Sequence, residues 1–137
     1  MDIEKELQKQ LIDERETRAF KDSYKNEISF YDLIANGEYD KLVDALKRIK
    51  ESPNRRGVLS KNDLTNIKYH TIVMTALVSR FCIESGMDIA ISYSLSDIYI
   101  RQIDKATSVS EVERLSDEIA MDYCKRMRDS VKKAVIS

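Results

Sequence analysis

The sequence predicts an all-α protein, and three observations carry that prediction. The 137 residues include only three glycines and one proline, so residues that break helices or make tight turns are rare. Charged residues make up 34% of the chain, a share that is typical of helices with solvated polar faces. Apolar residues recur at spacings of three and four along most of the length, which is the helical period. We therefore expect a single domain, a bundle of about six helices around a buried central helix at about residues 63–85.

The first helix is predicted over residues 2 to about 24. Ile3, Leu7 and Leu11 recur every four residues, and the positions around this thin apolar line are mostly charged. We expect a peripheral helix with a break near its middle. A narrow stripe of this kind is also the pattern by which a helix meets a partner helix.

A helical hairpin is predicted next. Residues 27–35 and 38–50 both carry apolar side chains at helical spacing, and Asn36 and Gly37 between them favour the left-handed conformation that ends a helix. A loop over residues 52–62 follows and contains the only proline of the chain. It is the best candidate for a mobile or ligand-facing segment, because loops are more mobile and carry binding residues more often than regular elements do.

The central helix is predicted over Asp63–Glu84, with Ser60 or Asn62 as its N-cap, and Asn62 is the preferred one. Between Ile72 and Ile83 the apolar run is interrupted only by Thr75, Ser79 and Arg80. A helix that is apolar on nearly every side needs neighbours on every flank. This helix is therefore the expected centre of the bundle.

Two further helices complete the chain. Ser85 and Gly86 end the central helix, and Asp88 is placed to cap the next one, which runs to about Lys105. Along that helix one face is traced by Ile91, Leu95, Ile98 and Gln102, with Tyr99 and Ile103 beside it. The last helix opens with a capping box, Ser108 with Glu111 three residues on, and continues as Val109, Val112, Ile119, Ala120, Tyr123, Met127 and Val131.

One polar line crosses the central helix. The positions that share this side recur at spacings of three and four residues, and they are Asn66, His70, Val73, Leu77, Arg80 and Glu84. Burying an unpaired guanidinium is costly, so Arg80 must meet a carboxylate, a bound anion or water. Either it clamps two core helices through Glu84 or Asp97, or it binds an anionic effector. The candidate ligand-binding or polar-network residues are Asn66, Tyr69, Arg80, Glu84, Tyr93 and Asp97.

The helix after the central one carries polar residues of its own. Tyr93, Ser94, Ser96 and Asp97 put four polar side chains into this helix, which should pack on the central helix. Serine is an indifferent helix former, so its presence indicates either close packing or a hydrogen-bonded role. Of these two readings, close packing is the favoured one.

Catalytic and metal-binding patterns are missing from the sequence. His70 is the only histidine and has no cysteine at ligand spacing, so we expect a packed or hydrogen-bonded histidine. Cys82 and Cys124 are expected to be free, packed thiols. With no nucleophile elbow and no phosphate-binding loop, the sequence predicts neither an enzyme nor a bound cofactor.

Charge and hydropathy narrow the location and the partners. Lys and Arg number 23 against 24 Asp and Glu, so the chain lacks the basic excess that direct DNA binding requires. The charged N-terminus does not read as a signal peptide, and the apolar run of the central helix is shorter than the about 20 residues of a membrane span. We expect a cytoplasmic protein with no membrane contact.

Several short motifs give the chain a family resemblance. These are residues 57–62 (GVLSKN), 66–69 (NIKY), 79–80 (SR), 83–86 (IESG) and 93–100 (YSLSDIYI), and the pattern continues with Asp104, residues 121–123 (MDY) and Arg126. In these motifs the chain resembles the helical N-terminal domain of bacterial AraC/XylS-type transcription regulators. The resemblance covers roughly residues 30–133 and is most specific over residues 57–104.

The resemblance implies a regulatory domain that senses an effector, dimerises, or does both. In such regulators a C-terminal pair of helix-turn-helix units reads the operator, and that region would be expected to begin near Ser137. We accordingly expect DNA contact only through that separate domain, a two-fold homodimer, and a small-molecule effector of unknown identity. The first and the last helix are the expected dimer surfaces.

Two rivals belong to other functional classes. A plain helical interaction module would dock on another protein through its first helix and sense nothing, and it predicts a solid core near Arg80. An enzyme would need a cleft lined by titratable groups with shifted pKa values, and the sequence offers no such set.

Overall fold

The computed structural model describes residues 1–14, 17–51 and 56–136, and side chains in these ranges except 13–14, 17–22 and 134–136. These residues form six helices and no strand, which confirms the all-α prediction. The helices pack together as a compact bundle. Their bounds are α1 Ile3–Glu14, α2 Thr17–Ala35, α3 Tyr39–Glu51, α4 Asp63–Glu84, α5 Ile89–Lys105 and α6 Val109–Ile136.

The N-terminal region divides differently from the prediction. The expected break falls between α1, which ends at Glu14, and α2, which begins at Thr17, at residues 15–16 that lie outside the described ranges. Beyond it the helix continues without interruption to Ala35, so the separate helix predicted over residues 27–35 is wrong. The physical reason is that residues 25–26, Lys and Asn, are compatible with a helix interior and no breaker stands there.

Helix starts are fixed by the expected side chains. The Asn62 side chain accepts a hydrogen bond from the Thr65 amide at 2.9 Å, and Asp88 accepts one from the Ile91 amide at 3.0 Å. Both bonds satisfy an amide that the first turn of a helix leaves without a partner. Both predicted caps are confirmed.

The capping box before α6 is only half formed. The Ser108 hydroxyl accepts from the Glu111 amide at 3.2 Å, as predicted. The Glu111 carboxylate, however, accepts from the Thr107 amide at 2.9 Å and not from the amide of Ser108. The carboxylate reaches one residue further back and still satisfies an amide ahead of the helix.

The hairpin turn between α2 and α3 is held against α6. Gly37 has φ of 67°, the left-handed region that glycine adopts at low cost. A Cβ at this position would lie 2.5 Å from the backbone nitrogen of Arg128. Glycine is therefore required twice, for its backbone conformation and for close approach to α6.

The core lies between α4 and the helices around it, with α4 packed on α2, α5 and α6. In the described ranges, the extensive contacts between helices lie among α2 to α6, whereas Ile3, Leu7, Leu11 and Ile12 of α1 are exposed. The largest fully buried apolar side chains are Tyr123, Ile34, Leu42, Ile103, Ile119, Val78 and Val112. The prediction of a bundle around a central helix near residues 63–85 is confirmed.

One flank of α4 remains open, which corrects the expectation that neighbours surround it. Tyr69 and Val73 are exposed, with 48% and 52% of their surface accessible, and Arg80 and Glu84 on the same side are exposed as well. The polar line predicted from the sequence is thus the solvent side of the helix. Among the described residues, no helix is both long and apolar enough to cross a membrane.

Candidate functional site

Arg80 lies at the surface, where α4 meets α5. Its guanidinium carbon sits 4.0 Å above the centre of the Tyr93 ring, a cation–π distance. One of its terminal nitrogens donates to the Ser79 hydroxyl at 3.0 Å. Within the described part of the chain, it forms no ion pair with Glu84 or Asp97.

These contacts overturn the predicted clamp. The argument for a carboxylate partner assumed a buried guanidinium, but Arg80 and both candidate carboxylates are exposed. Water can solvate them, so no compensating charge is needed. What fixes Arg80 is the face of an aromatic ring on the neighbouring helix.

Asn66 and His70 organise the loop that precedes α4. The Asn66 side-chain oxygen accepts from the amides of Leu59 at 2.6 Å and Ser60 at 3.0 Å, while its nitrogen donates to the Gly57 carbonyl at 3.2 Å. His70 lies 2.8 Å from the same carbonyl through Nε2. The prediction of a hydrogen-bonded histidine is confirmed. The Asn66 side chain holds the loop in place through its hydrogen bonds to the loop backbone.

The six candidate residues therefore do not form one site. Arg80 and Tyr93 make one group, and Asn66 belongs to the loop clamp. Because Asn66 and Arg80 are fourteen residues apart on one helix, about 21 Å separates them along its axis. Tyr69, Glu84 and Asp97 lie exposed and join neither group through a hydrogen bond or an ion pair of the described residues.

A buried hydroxyl network connects α4, α5 and α6, and the sequence did not reveal it. The hydroxyls of Ser79 and Ser92 are 2.9 Å apart, and the Ser92 hydroxyl donates to the Ser79 carbonyl at 3.0 Å. Tyr123 on α6 donates its hydroxyl to the Ser92 carbonyl at 2.7 Å. All three residues have no exposed surface. The network satisfies polar groups inside the core and ties three helices together.

The outer face of α5 is the second feature that the sequence did not identify as a site. The inner face buries Ser92, Ser96 and Ile103, while Ile91 and Ile98 point to solvent with 52% and 46% of their surface exposed. Between them lies a shallow groove of about 320 Å³, lined by Ala90, Ile91, Ser94, Leu95 and Ile98. No element of the described residues covers this apolar groove, and an exposed apolar patch of this kind is typical of a surface that meets a protein.

Buried titratable groups in the core are held neutral. Burial, followed by the neighbouring Cys124, raises the pKa of the Cys82 thiol to about 12, and burial raises that of Cys124 to about 11. Both cysteines are free and buried, as predicted. Thiols with raised pKa values are poor nucleophiles and poor metal ligands at neutral pH. The described residues contain no group of three side chains that could hold a metal ion.

The comparisons with known proteins give no relative. No family model matches the chain, and neither the curated proteins nor the solved structures contain a match. What the chain does must therefore be argued from its own surfaces and from the motifs of its sequence.

Proposed function

We propose that this domain is the regulatory and dimerisation part of an AraC-type transcription regulator. Two copies associate and thereby set the spacing of two DNA-reading units that belong to the separate C-terminal domain. The choice of protein class rests on the sequence motifs that resemble this family. The observation that carries the dimerisation role is α5, which buries serines and exposes isoleucines.

On α5 serines are buried and isoleucines are exposed, the reverse of the usual arrangement, and this favours a protein partner. Exposed isoleucine side chains are solvated at a free-energy cost of about 25 cal/mol for each Å² of apolar surface. A partner that covers this face removes the cost, whereas a solitary bundle would gain by placing the same side chains inside. Association through an apolar face is therefore the role that this helix supports best.

Dimerisation has stronger support than effector sensing. Of the six residues predicted to hold an effector, Arg80 and Tyr93 form one group at the surface and Asn66 belongs to the loop before α4. The other three join neither group. Arg80 and Tyr93 are both exposed to solvent, whereas a small-molecule site typically buries most of its ligand. Dimerisation can act without a ligand. When two DNA-reading units are linked, binding of one to its half-site raises the effective concentration of the other at the neighbouring half-site.

The test is the mass of the chain in solution. Sedimentation equilibrium is measured over increasing concentration, and we expect a reversible transition from monomer to dimer. The same chain, fused ahead of a monomeric DNA-binding domain, is expected to strengthen binding to paired half-sites more than to a single half-site.

Two outcomes would contradict the proposal. One is a monomer at every concentration up to about 1 mM, because any self-association would then be weaker than about 4 kcal/mol. The other is a monomeric chain that binds a different protein through α5, which would favour the plain interaction module.

A further inference from the structure

We infer that the outer face of α5 is the docking surface for a second copy of this chain, with the two α5 helices antiparallel about an axis between Ser94 and Leu95. This inference rests on the proposed dimerisation and names the surface that performs it. It differs from the sequence expectation, which placed the interface on the first or the last helix.

The order of side chains along α5 is self-complementary. Ile91 and Ile98 lie equally far from the midpoint between Ser94 and Leu95. An antiparallel two-fold arrangement therefore places Ile91 of one copy opposite Ile98 of the other, and Leu95 opposite Ser94, so the two Leu95 side chains lie about 1.5 Å apart along the axis. The residues that line the groove are the same ones that supply the knobs to fill it.

Small residues on one flank allow close approach. Ala90 and Ser94 line the same groove as the isoleucines, and short side chains let two helix backbones come near to each other. Knobs from a second helix enter such a groove as they do in an antiparallel helix pair.

Charge does not oppose the pairing of two copies. The groove-lining residues carry no charge, and the exposed Asp97 and Arg101 beside them have opposite signs. The whole chain has a formal net charge of -1, so the long-range repulsion between two copies is small.

The size of the face predicts a weak dimer. α5 has 17 residues, which gives a length of about 25 Å, and a single helix face covers less than the about 800 Å² that each partner contributes to a standard interface. We therefore expect a dimer dissociation constant in the micromolar range.

The first experiment uses disulfide formation at the axis. Ser94→Cys changes one atom at an exposed position next to the two-fold axis, where the two copies of the residue lie only about 1.5 Å apart along the axis. Cys82 and Cys124 have no exposed surface, so the new thiol is the reactive one under mild oxidation. Ser85→Cys is the matched control, because Ser85 is exposed but lies beyond the end of α4. We expect cross-linked dimer at least tenfold faster from Ser94→Cys.

Orientation is tested with a mixture of two variants. Ile91→Cys and Ile98→Cys chains are expected to cross-link with each other faster than either does alone. In the antiparallel arrangement two copies of residue 91 lie about 10 Å apart along the axis, which exceeds disulfide reach. Faster cross-linking within each variant than between them would overturn the antiparallel arrangement.

The second experiment removes the apolar contact. Ile98→Lys places a charge inside the pair and is expected to raise the dimer dissociation constant at least tenfold. Val73→Lys is the control, since Val73 is similarly exposed but lies on α4. Circular dichroism melting of each variant shows whether the bundle remains folded.

The outcomes separate this inference from the proposed function. If the wild-type chain dimerises but neither Ile98→Lys nor Ser94→Cys differs from its control, the α5 surface is wrong and dimerisation itself stands. If the wild-type chain is monomeric throughout, both fail. A dimer that dissociates when residues 2–14 are deleted, and not with Ile98→Lys, would assign the interface to α1.

Discussion

The hydroxyl of Tyr123 links the last helix to the two helices at the centre of the bundle. It donates to the Ser92 carbonyl at 2.7 Å, beside the paired hydroxyls of Ser79 and Ser92. Burial is the main cause of the raised pKa of Tyr123, and the contacts with Ser92 and Ser79 oppose it. In the described part of the chain, every buried side-chain nitrogen and oxygen has a hydrogen-bond partner. If one hydroxyl of this network is removed, the remaining ones must therefore rearrange their hydrogen bonds.

Tyr123→Phe tests how much this network contributes to stability. The variant keeps the buried ring and loses one hydrogen bond, so the free energy of unfolding should fall by about 1–2 kcal/mol. Urea denaturation followed by circular dichroism measures the change. Tyr69→Phe is the control, because Tyr69 is 48% exposed and its loss should stay within about 0.5 kcal/mol. Equal effects from the two variants would show that the network adds nothing to stability.

The orientation of α5 illustrates where sequence reasoning failed at the level of an element. Its start at Asp88 and its end near Lys105 follow from local chemistry, and both are confirmed. Which face packs inward depends on residues far along the chain, because Ser92 is buried against Ser79 and Tyr123. Apolar periodicity favours the isoleucine face as the inner one, and no local signal reports a tyrosine partner 31 residues away.

Deletion of residues 2–14 tests the separate status of α1. Ile3, Leu7 and Leu11 are 68%, 49% and 54% exposed, and the contacts that build the bundle lie among α2 to α6. Removing α1 should therefore change the free energy of unfolding by less than about 1 kcal/mol, within the range of surface changes. Sedimentation equilibrium should give the same dimer dissociation constant as the full chain. A large loss of stability would show that α1 packs on the bundle.

At the scale of the whole molecule, the fold was more predictable than the site. Fold class, the central helix and the caps follow from periodicity and from side chains within a few residues of each helix end. The site depended on whether Arg80 is buried, and the apolar run around it suggested that it is. In the structure the run is wide enough to fill the core and still leave one side of α4 open, so Arg80 reaches water. Periodicity of one helix does not reveal how many neighbours it has.

Stability of the whole bundle should fall at alkaline pH, because burial raises the pKa of both thiols. The pKa of Cys82 rises from an ordinary value of 9.0 to about 12, and that of Cys124 to about 11. Above pH 9 the unfolded chain releases these protons while the folded chain retains them. Ionisation thus favours the unfolded state, and the stability present below pH 9 is lost as pH rises towards the folded values.

Urea denaturation in the presence of a reducing agent measures this loss at pH 7, 8, 9 and 10. The free energy of unfolding should be nearly constant from pH 7 to 8 and should fall between pH 9 and 10, by up to about 1.4 kcal/mol per pH unit for each thiol. Cys82→Ala should be less stable at every pH because it leaves a cavity in the core. Its decline between pH 9 and 10 should nevertheless be shallower than that of the wild type, since one titrating group is gone. Parallel declines in the two proteins would rule out Cys82 as a cause of alkaline unfolding, and Cys124 together with the tyrosines with raised pKa values, Tyr31, Tyr99 and Tyr123, would then account for it.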